Sequence, residues 1–179
     1  MNQWWWYFTR STGIVAAVLA VAALAWGLLF SARETGKRLR PAWWLDLHNW
    51  LGGLTVAFTV LHVVASYADR DLGLRLVDLV VPGTTKLQTA GIGWGVVAFE
   101  VFVIVSVTSI ARVRRRMPRR VWHIVHLVSV PAVVAMGAHA YQIGSDAATI
   151  AFRLLFVLVA GTVVYPLVIR LLGLPTRRP

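Results

Sequence analysis

The sequence predicts an all-α membrane protein, a bundle of five transmembrane helices that form one domain over residues 1–179. Apolar residues make up 58% of the chain, whereas soluble domains contain about 45–50%. Five apolar runs approach the ~20 residues that a transmembrane helix needs. They lie at residues 13–30, 44–66, 91–110, 121–141 and 149–171.

The basic residues are concentrated in alternate connections between these runs. Residues 31–43 carry four basic residues and one acid, and residues 111–120 carry six arginines and no acid. Residues 67–90 carry three basic and three acidic side chains. The positive-inside rule therefore places the N-terminus outside and the C-terminus in the cytoplasm, as in a multi-pass protein of the bacterial cytoplasmic membrane. Because topology and membrane lipid account for the net charge of +11, we expect no nucleic-acid partner.

The segment between the second and third runs predicts a short surface helix. Its sequence, DLGLRLVDLVVPG at residues 71–83, places polar and apolar residues at roughly helical spacing and is too short to span a membrane. This pattern predicts an interfacial helix near residues 71–81 on the outer surface.

All five histidines fall on predicted helices 2 and 4. From His48 to His62 an α-helix turns through about 1400°, about 40° short of four full turns, and rises about 21 Å, so both imidazoles leave nearly the same face. Helices 2 and 4 both run from the cytoplasm outward and are parallel. We therefore expect His48 level with His126, called the inner pair, and His62 level with His139, called the outer pair.

The spacing on helix 4 is less regular. Thirteen residues on an ideal helix leave His139 about 140° away from His126. Pro131 lies between them, and a proline kink or local unwinding would correct the difference. His123 is a rival to His126 for the inner position. We favour His126 because its axial interval to His139 best matches that between the two histidines of helix 2.

Two histidines at each level suit haem better than zinc. Structural zinc takes four protein ligands and catalytic zinc takes three. Haem needs only two axial nitrogens, because the porphyrin provides the other four. The chain has no cysteine, so thiolate ligands are excluded. The residues therefore favour two b-type haems with histidine axial ligands, and no side chain is assigned a catalytic role.

A haem also needs cations for its propionates and space for its ring. The candidate propionate partners are Arg40, Arg119 and Arg120 on the inner side and Arg10, Arg70, Arg75 and Lys86 on the outer side. One turn from each histidine lies a small residue that would leave space beside the imidazole: Gly52, Ser66, Ser129 and Ala135.

These histidines resemble those of the transmembrane domain of the ferric reductase and NADPH oxidase family. That family has H-x13-H on one helix and H-x12-H on a parallel one. His48 and His62 match the first motif, and His126 and His139 match the second. The resemblance covers nearly the whole chain. It implies a single ferric reductase-like transmembrane domain with haem iron bound by each pair, which passes single electrons across the membrane.

The chain departs from the family's reductases and oxidases at its C-terminal end. Those proteins continue into a cytoplasmic domain that binds FAD and NADPH, whereas this sequence ends at Pro179 without a glycine-rich phosphate loop. It is similar to short bacterial members, including the haem-bearing membrane subunit that serves periplasmic methionine sulfoxide reductase. We therefore expect an electron-transfer subunit that works with a separate flavin- or FMN-containing protein or with quinol. Electrons would pass between this donor and an acceptor on the outer side, or in reverse.

A non-redox membrane protein is the alternative hypothesis. Glu100 falls near the middle of predicted helix 3, where a charge costs at least ~2.5 kcal/mol. Together with His123 it would be central to a metal or proton transporter. Pairing of the histidines by depth distinguishes the two hypotheses, because transport does not require it.

Overall fold

Seven α-helices and two short 3₁₀ helices make up the regular structure of residues 3–32 and 41–172, the parts of the chain described by the computed structural model. The α-helices are α1 (Gln3–Ala32), α2 (Pro41–Ala68), α3 (Thr89–Ser109), α4 (Ala111–Arg114), α5 (Arg119–Leu127), α6 (Ser129–Ile143) and α7 (Ile150–Leu172). No β-strand occurs within those two ranges, and the all-α prediction is confirmed for them.

Four stretches within the described ranges are long and apolar enough to cross a membrane. They are Gln3–Leu29, Ala42–Ala68, Thr89–Ser109 and Arg119–Ile143, and they correspond to the first four predicted spans. The fifth predicted span coincides with α7, but the apolar stretch found there, Ile150–Tyr165, is shorter. The protein is therefore a multi-pass, helical membrane protein, and the count of five spans stays a prediction.

Small residues allow the four spanning segments to pack closely. Helix α1 packs mainly against α2, and α3 packs mainly against α6. A buried cluster joins three of these helices and consists of Ala20, Ala98, Phe102, Ala132 and Ala135. Because side chains as small as alanine let helix backbones approach each other in a membrane, this cluster holds the helices at short range.

Two tryptophans connect α1 to α2 near one end of the bundle. The rings of Trp26 and Trp44 are stacked with centroids 3.8 Å apart. Each indole N–H also donates to the backbone carbonyl of the other residue, at 3.1 and 3.3 Å. Both buried N–H groups are thus satisfied, and the two helices are held in register four residues before His48.

The fourth span is interrupted between α5 and α6. Val128 separates the two helices, and its N–H donates to the carbonyl of Val125, three residues back, at 3.2 Å. Pro131 follows closely, has no N–H to donate to the carbonyl of Leu127, and places its ring against that carbonyl. The predicted irregularity between His126 and His139 is therefore confirmed, and it lies one turn before the proline.

The predicted interfacial α-helix near residues 71–81 is wrong. Two 3₁₀ helices occupy this segment, Arg70–Leu72 and Leu76–Leu79. Between them Gly73 adopts the left-handed conformation, with φ of 59°. The carboxylate of Asp69 accepts a hydrogen bond from the N–H of Asp71, and that of Asp78 accepts one from the N–H of Arg75. Such local side-chain bonds compete with the helical backbone pattern, which the apolar spacing alone did not reveal.

Asp78 organises the second half of this connection. Its buried carboxylate accepts hydrogen bonds from the Arg75 guanidinium at 2.9 and 3.1 Å and from the Thr84 hydroxyl at 2.7 Å. These bonds, first of all those from the Arg75 side chain, hold the pKa of Asp78 well below its usual value of 3.8. The carboxylate therefore stays ionised at neutral pH and stabilises the turn there, and this contribution is lost only as the pH falls through that lowered pKa.

Candidate functional site

The structure brings the histidines together in the two predicted pairs. The ring centroids of His48 and His126 lie 5.8 Å apart, with 65° between their planes. Those of His62 and His139 lie 6.1 Å apart, with 83° between their planes. Both pairs form at once only if α2 runs parallel to α5 and α6, so this part of the predicted arrangement is observed.

Three of the four imidazoles are oriented by a backbone carbonyl of a neighbouring helix. Nδ1 of His62 lies 2.8 Å from the carbonyl oxygen of Thr9. Nδ1 of His139 lies 2.9 Å from that of Gly91, and Nδ1 of His48 lies 3.1 Å from that of Ala23. A carbonyl oxygen only accepts, so Nδ1 must donate its hydrogen in each bond. The neutral ring then keeps a free electron pair on Nε2, the form in which histidine binds a metal.

A glycine lies four residues after each of these three carbonyls. Thr9 is followed by Gly13, Ala23 by Gly27 and Gly91 by Gly95. In an α-helix the residue four positions along lies beside the carbonyl on the same face. Each glycine therefore leaves the space through which the imidazole reaches the oxygen.

The clearance is too small for a side chain at Gly13 and Gly95, and it is tight at Gly27. A Cβ atom at Gly95 would lie 2.6 Å from Nδ1 of His139, and one at Gly13 would lie 2.8 Å from Nδ1 of His62. At Gly27 the nearest atom, Cε1 of His48, would be 3.1 Å away. Sequence reasoning interpreted Gly95 as a packing residue and did not connect any of the three glycines with a histidine. One signal was present, because Gly13 and Gly27 are separated by the same interval as His48 and His62.

His126 has different neighbours from the other three histidines. Its Nδ1 lies 3.4 Å from the hydroxyl oxygen of Ser109, at the end of α3. The ring of Trp122 stacks on it, with centroids 5.0 Å apart and 22° between the planes. The guanidinium carbon of Arg114 lies 4.3 Å from the centre of the same Trp122 ring. A hydroxyl, an indole and a cation thus surround the inner imidazole of this span.

The rival histidine, His123, is exposed and lies beside Trp122, with ring centroids 6.4 Å apart. The ring that faces His48 is that of His126. Glu100 is half-buried on α3. Within the described parts of the chain, no hydrogen bond or ion pair connects Glu100 or His123 to either pair, and the transporter hypothesis gains no support.

The candidate propionate partners have varied surroundings. Arg10 forms an ion pair with Asp146 and lies over the ring of Trp6, at 4.8 Å. Arg119 and Arg120 are exposed at the start of α5, and Arg119 lines a cavity of about 390 Å³ together with Trp122. Arg40 lies outside the described residues. Among the other outer candidates, Arg75 is bonded to Asp78, and Arg70 and Lys86 are exposed.

The small residues beside the histidines also differ from one another. A Cβ atom at Gly52 would meet nothing within 4 Å, so the expected space beside His48 is present. The hydroxyls of Ser66 and Ser129 donate to the carbonyls of His62 and His126 in their own helices. Ala135 is buried in the alanine and phenylalanine cluster, and the expected space beside His139 is not found at that residue.

The pair geometry suits one metal ion between two imidazoles. Metal–imidazole bonds are about 2.0–2.1 Å long, and the ring centre lies about 1.1 Å further, so two opposed ligands have ring centres about 6.2–6.4 Å apart, slightly more than in either pair. The observed separations are 5.8 and 6.1 Å. No group of three or more His, Cys, Asp or Glu residues able to hold a metal occurs within residues 3–32 and 41–172.

Buried polar atoms without a hydrogen-bond partner adjoin both pairs. The structure, where it is described, has two such side-chain atoms, Oγ1 of Thr9 and Nε1 of Trp122. Thr9 supplies the carbonyl that orients His62, and Trp122 stacks on His126. Each pair thus has a buried polar group that a bound cofactor with acidic substituents would satisfy.

The family with the description "Ferric reductase like transmembrane component" matches residues 12–137, which is 126 of the 179 residues. The chain belongs to this ferric reductase-like family. The matched region of this ferric reductase-like protein contains His48, His62 and His126 and ends two residues before His139. Comparisons with curated proteins and with solved structures found no match.

Proposed function

We propose that this ferric reductase-like protein carries electrons across the membrane through two b-type haems. His48 and His126 would bind the inner iron, and His62 and His139 the outer iron. Membership of the family indicates a membrane electron-transfer role. The observation that carries the proposal is that two facing histidine pairs occur at two depths, with Nδ1 of three rings committed to a carbonyl and Nε2 left free.

The chain's own residues would prepare the imidazoles for this role. Gly13, Gly27 and Gly95 admit the rings to the carbonyls, and the carbonyls fix both the tautomer and the ring orientation. The Nδ1–H bonds also raise the basicity of Nε2. The buried cluster around Phe102 excludes water from the centre of the bundle. Haem, when bound, supplies a couple that accepts and releases one electron.

The arginine-rich connection supports a cytoplasmic electron donor with negative charge. We propose that the connection formed by residues 111–120 faces the cytoplasm and the 69–88 connection faces outward, as the charge distribution predicts. All six arginines of the first connection are exposed, and three of them, Arg114, Arg115 and Arg119, also line the adjoining cavity. A separate flavin- or FMN-containing protein would dock there, with quinol as the other donor class. Arg119 and Arg120 would also face the propionates of the inner haem.

Counting the haems tests the proposal. Protein purified from cells supplied with haem should give a reduced-minus-oxidised spectrum of b type and about two haems per chain in a pyridine haemochrome assay. Metal analysis of the same sample should find iron in equal amount to the haem. A sample with no Soret band, or with a bound transition metal and no haem, would rule the proposal out.

A further inference from the structure

We propose that Trp122 and Arg114 are positioning residues that make the two haem sites unequal, with the inner haem at the higher reduction potential, and that the Ser109 hydroxyl offsets part of this difference. This inference rests on the proposed function. It comes from a difference among the four histidines, because within the described residues His126 is the one histidine of the two pairs with no backbone carbonyl at Nδ1. The asymmetry would decide at which side of the membrane an electron rests.

The first contribution is the hydrogen bond to the ligand. A carbonyl that accepts from Nδ1–H raises the basicity of the imidazole and stabilises ferric iron, which lowers the potential. Both outer histidines have such a bond, at 2.8 and 2.9 Å. In the inner pair, His48 has one at 3.1 Å, and His126 has only the Ser109 hydroxyl at 3.4 Å. The inner ligands are therefore the weaker electron donors.

The second contribution is charge. Arg114 is exposed and its guanidinium lies over the ring of Trp122, which in turn stacks on His126. A nearby positive charge favours the iron state with the smaller charge, ferrous iron, and raises the potential. At the outer end the charge of Arg10 is balanced by Asp146 and that of Arg75 by Asp78, while Arg70 and Lys86 are exposed to solvent and screened by it.

Burial of the histidines has the opposite effect, because it raises the potential of the outer haem more than that of the inner one. The outer rings lie deeper than the inner ones, and a low dielectric disfavours the ferric charge. All four histidines are nevertheless half-buried by exposure. This effect opposes the hydrogen-bond and charge contributions, and the Arg114→Gln variant isolates the charge contribution from it.

Two substitutions distinguish the charge contribution from the hydrogen-bond contribution, because they should shift the reduction potential of the inner haem in opposite directions. Arg114→Gln should lower the potential of the inner haem because it removes the cation. Ser109→Ala should raise it because it removes the last acceptor at Nδ1 of His126. If both substitutions only disturbed the structure of the inner site, the potential of the inner haem would shift in the same direction in both variants. Arg112→Gln removes an equal charge from the same connection, away from the Trp122 ring, and is the matched control.

Potentiometric titration of the haem-loaded full chain, followed at the visible absorption bands, measures these effects. The wild type should titrate in two steps, and His139→Leu, which lacks an outer ligand, should keep the higher step. Arg114→Gln should lower that step more than Arg112→Gln, with the other step unmoved. Equal potentials, an inner step below the outer one, or equal shifts in the two arginine variants would overturn the inference. Absence of haem would instead contradict the proposed function.

Discussion

Replacement of His139 by leucine is expected to halve the haem content, because it removes one axial ligand of the outer haem. The other outer ligand, His62, cannot hold a six-coordinate iron alone. The inner pair lies about 21 Å away along the helix and has its own contacts, so its haem should stay bound in part or in full. The haemochrome assay and the visible spectrum of purified protein measure the result.

His123→Leu is the matched control for this variant. His123 lies on the same span, is exposed, and does not face His48. Both haems should stay bound when it is replaced. If His123→Leu lost a haem and His126→Leu kept both, the assignment of the inner ligand would be wrong. If His139→Leu kept two haems, the outer pair would not be a haem site.

Gly95→Ala is expected to weaken binding of the outer haem although it replaces no ligand. The added methyl group would lie 2.6 Å from Nδ1 and 2.9 Å from Cε1 of His139, so the ring must move away from the Gly91 carbonyl. Overpacking of this kind typically costs about 1–3 kcal/mol. If this free energy is lost from haem binding, the affinity of the outer site for haem falls roughly 5- to 150-fold. Haem content and the rate of haem loss to a haem-scavenging protein measure it.

Gly53→Ala provides the control for the same chemical change. A Cβ atom at Gly53 meets nothing within 4 Å, and alanine favours the helix more than glycine does. This variant should bind two haems as tightly as the wild type. Equal haem loss in both variants would mean that the space at Gly95 has no special role.

The histidine pairs could be predicted from the sequence because they depend on local geometry. Rotation and rise along α2 place His48 and His62 on one face at two depths, and alternate basic connections make α2 parallel to α5 and α6. Pro131 identified the irregular point of the second helix. That the two histidine-bearing spans face each other does not follow from these features, and the ring contacts show it.

The features that could not be predicted from the sequence depend mostly on contacts between distant parts of the chain. Gly13 and Gly95 matter only because α1 packs on α2 and α3 packs on α6, which periodicity does not reveal. The ion pair of Arg10 with Asp146 joins residues 136 positions apart. The surface helix near residues 71–81 was predicted wrongly because Asp69 and Asp78 bond to local backbone N–H groups, so polar capping overrode apolar spacing.

The spin state and axial ligation of the bound iron test the central claim most directly. Electron paramagnetic resonance of the oxidised, haem-loaded protein should show low-spin ferric iron at both sites, with nitrogen from histidine on each side of the porphyrin. The His139→Leu sample should lose one low-spin signal and keep the other. High-spin ferric haem as the main species of the wild type, or a single low-spin haem that survives loss of either pair, would contradict the account.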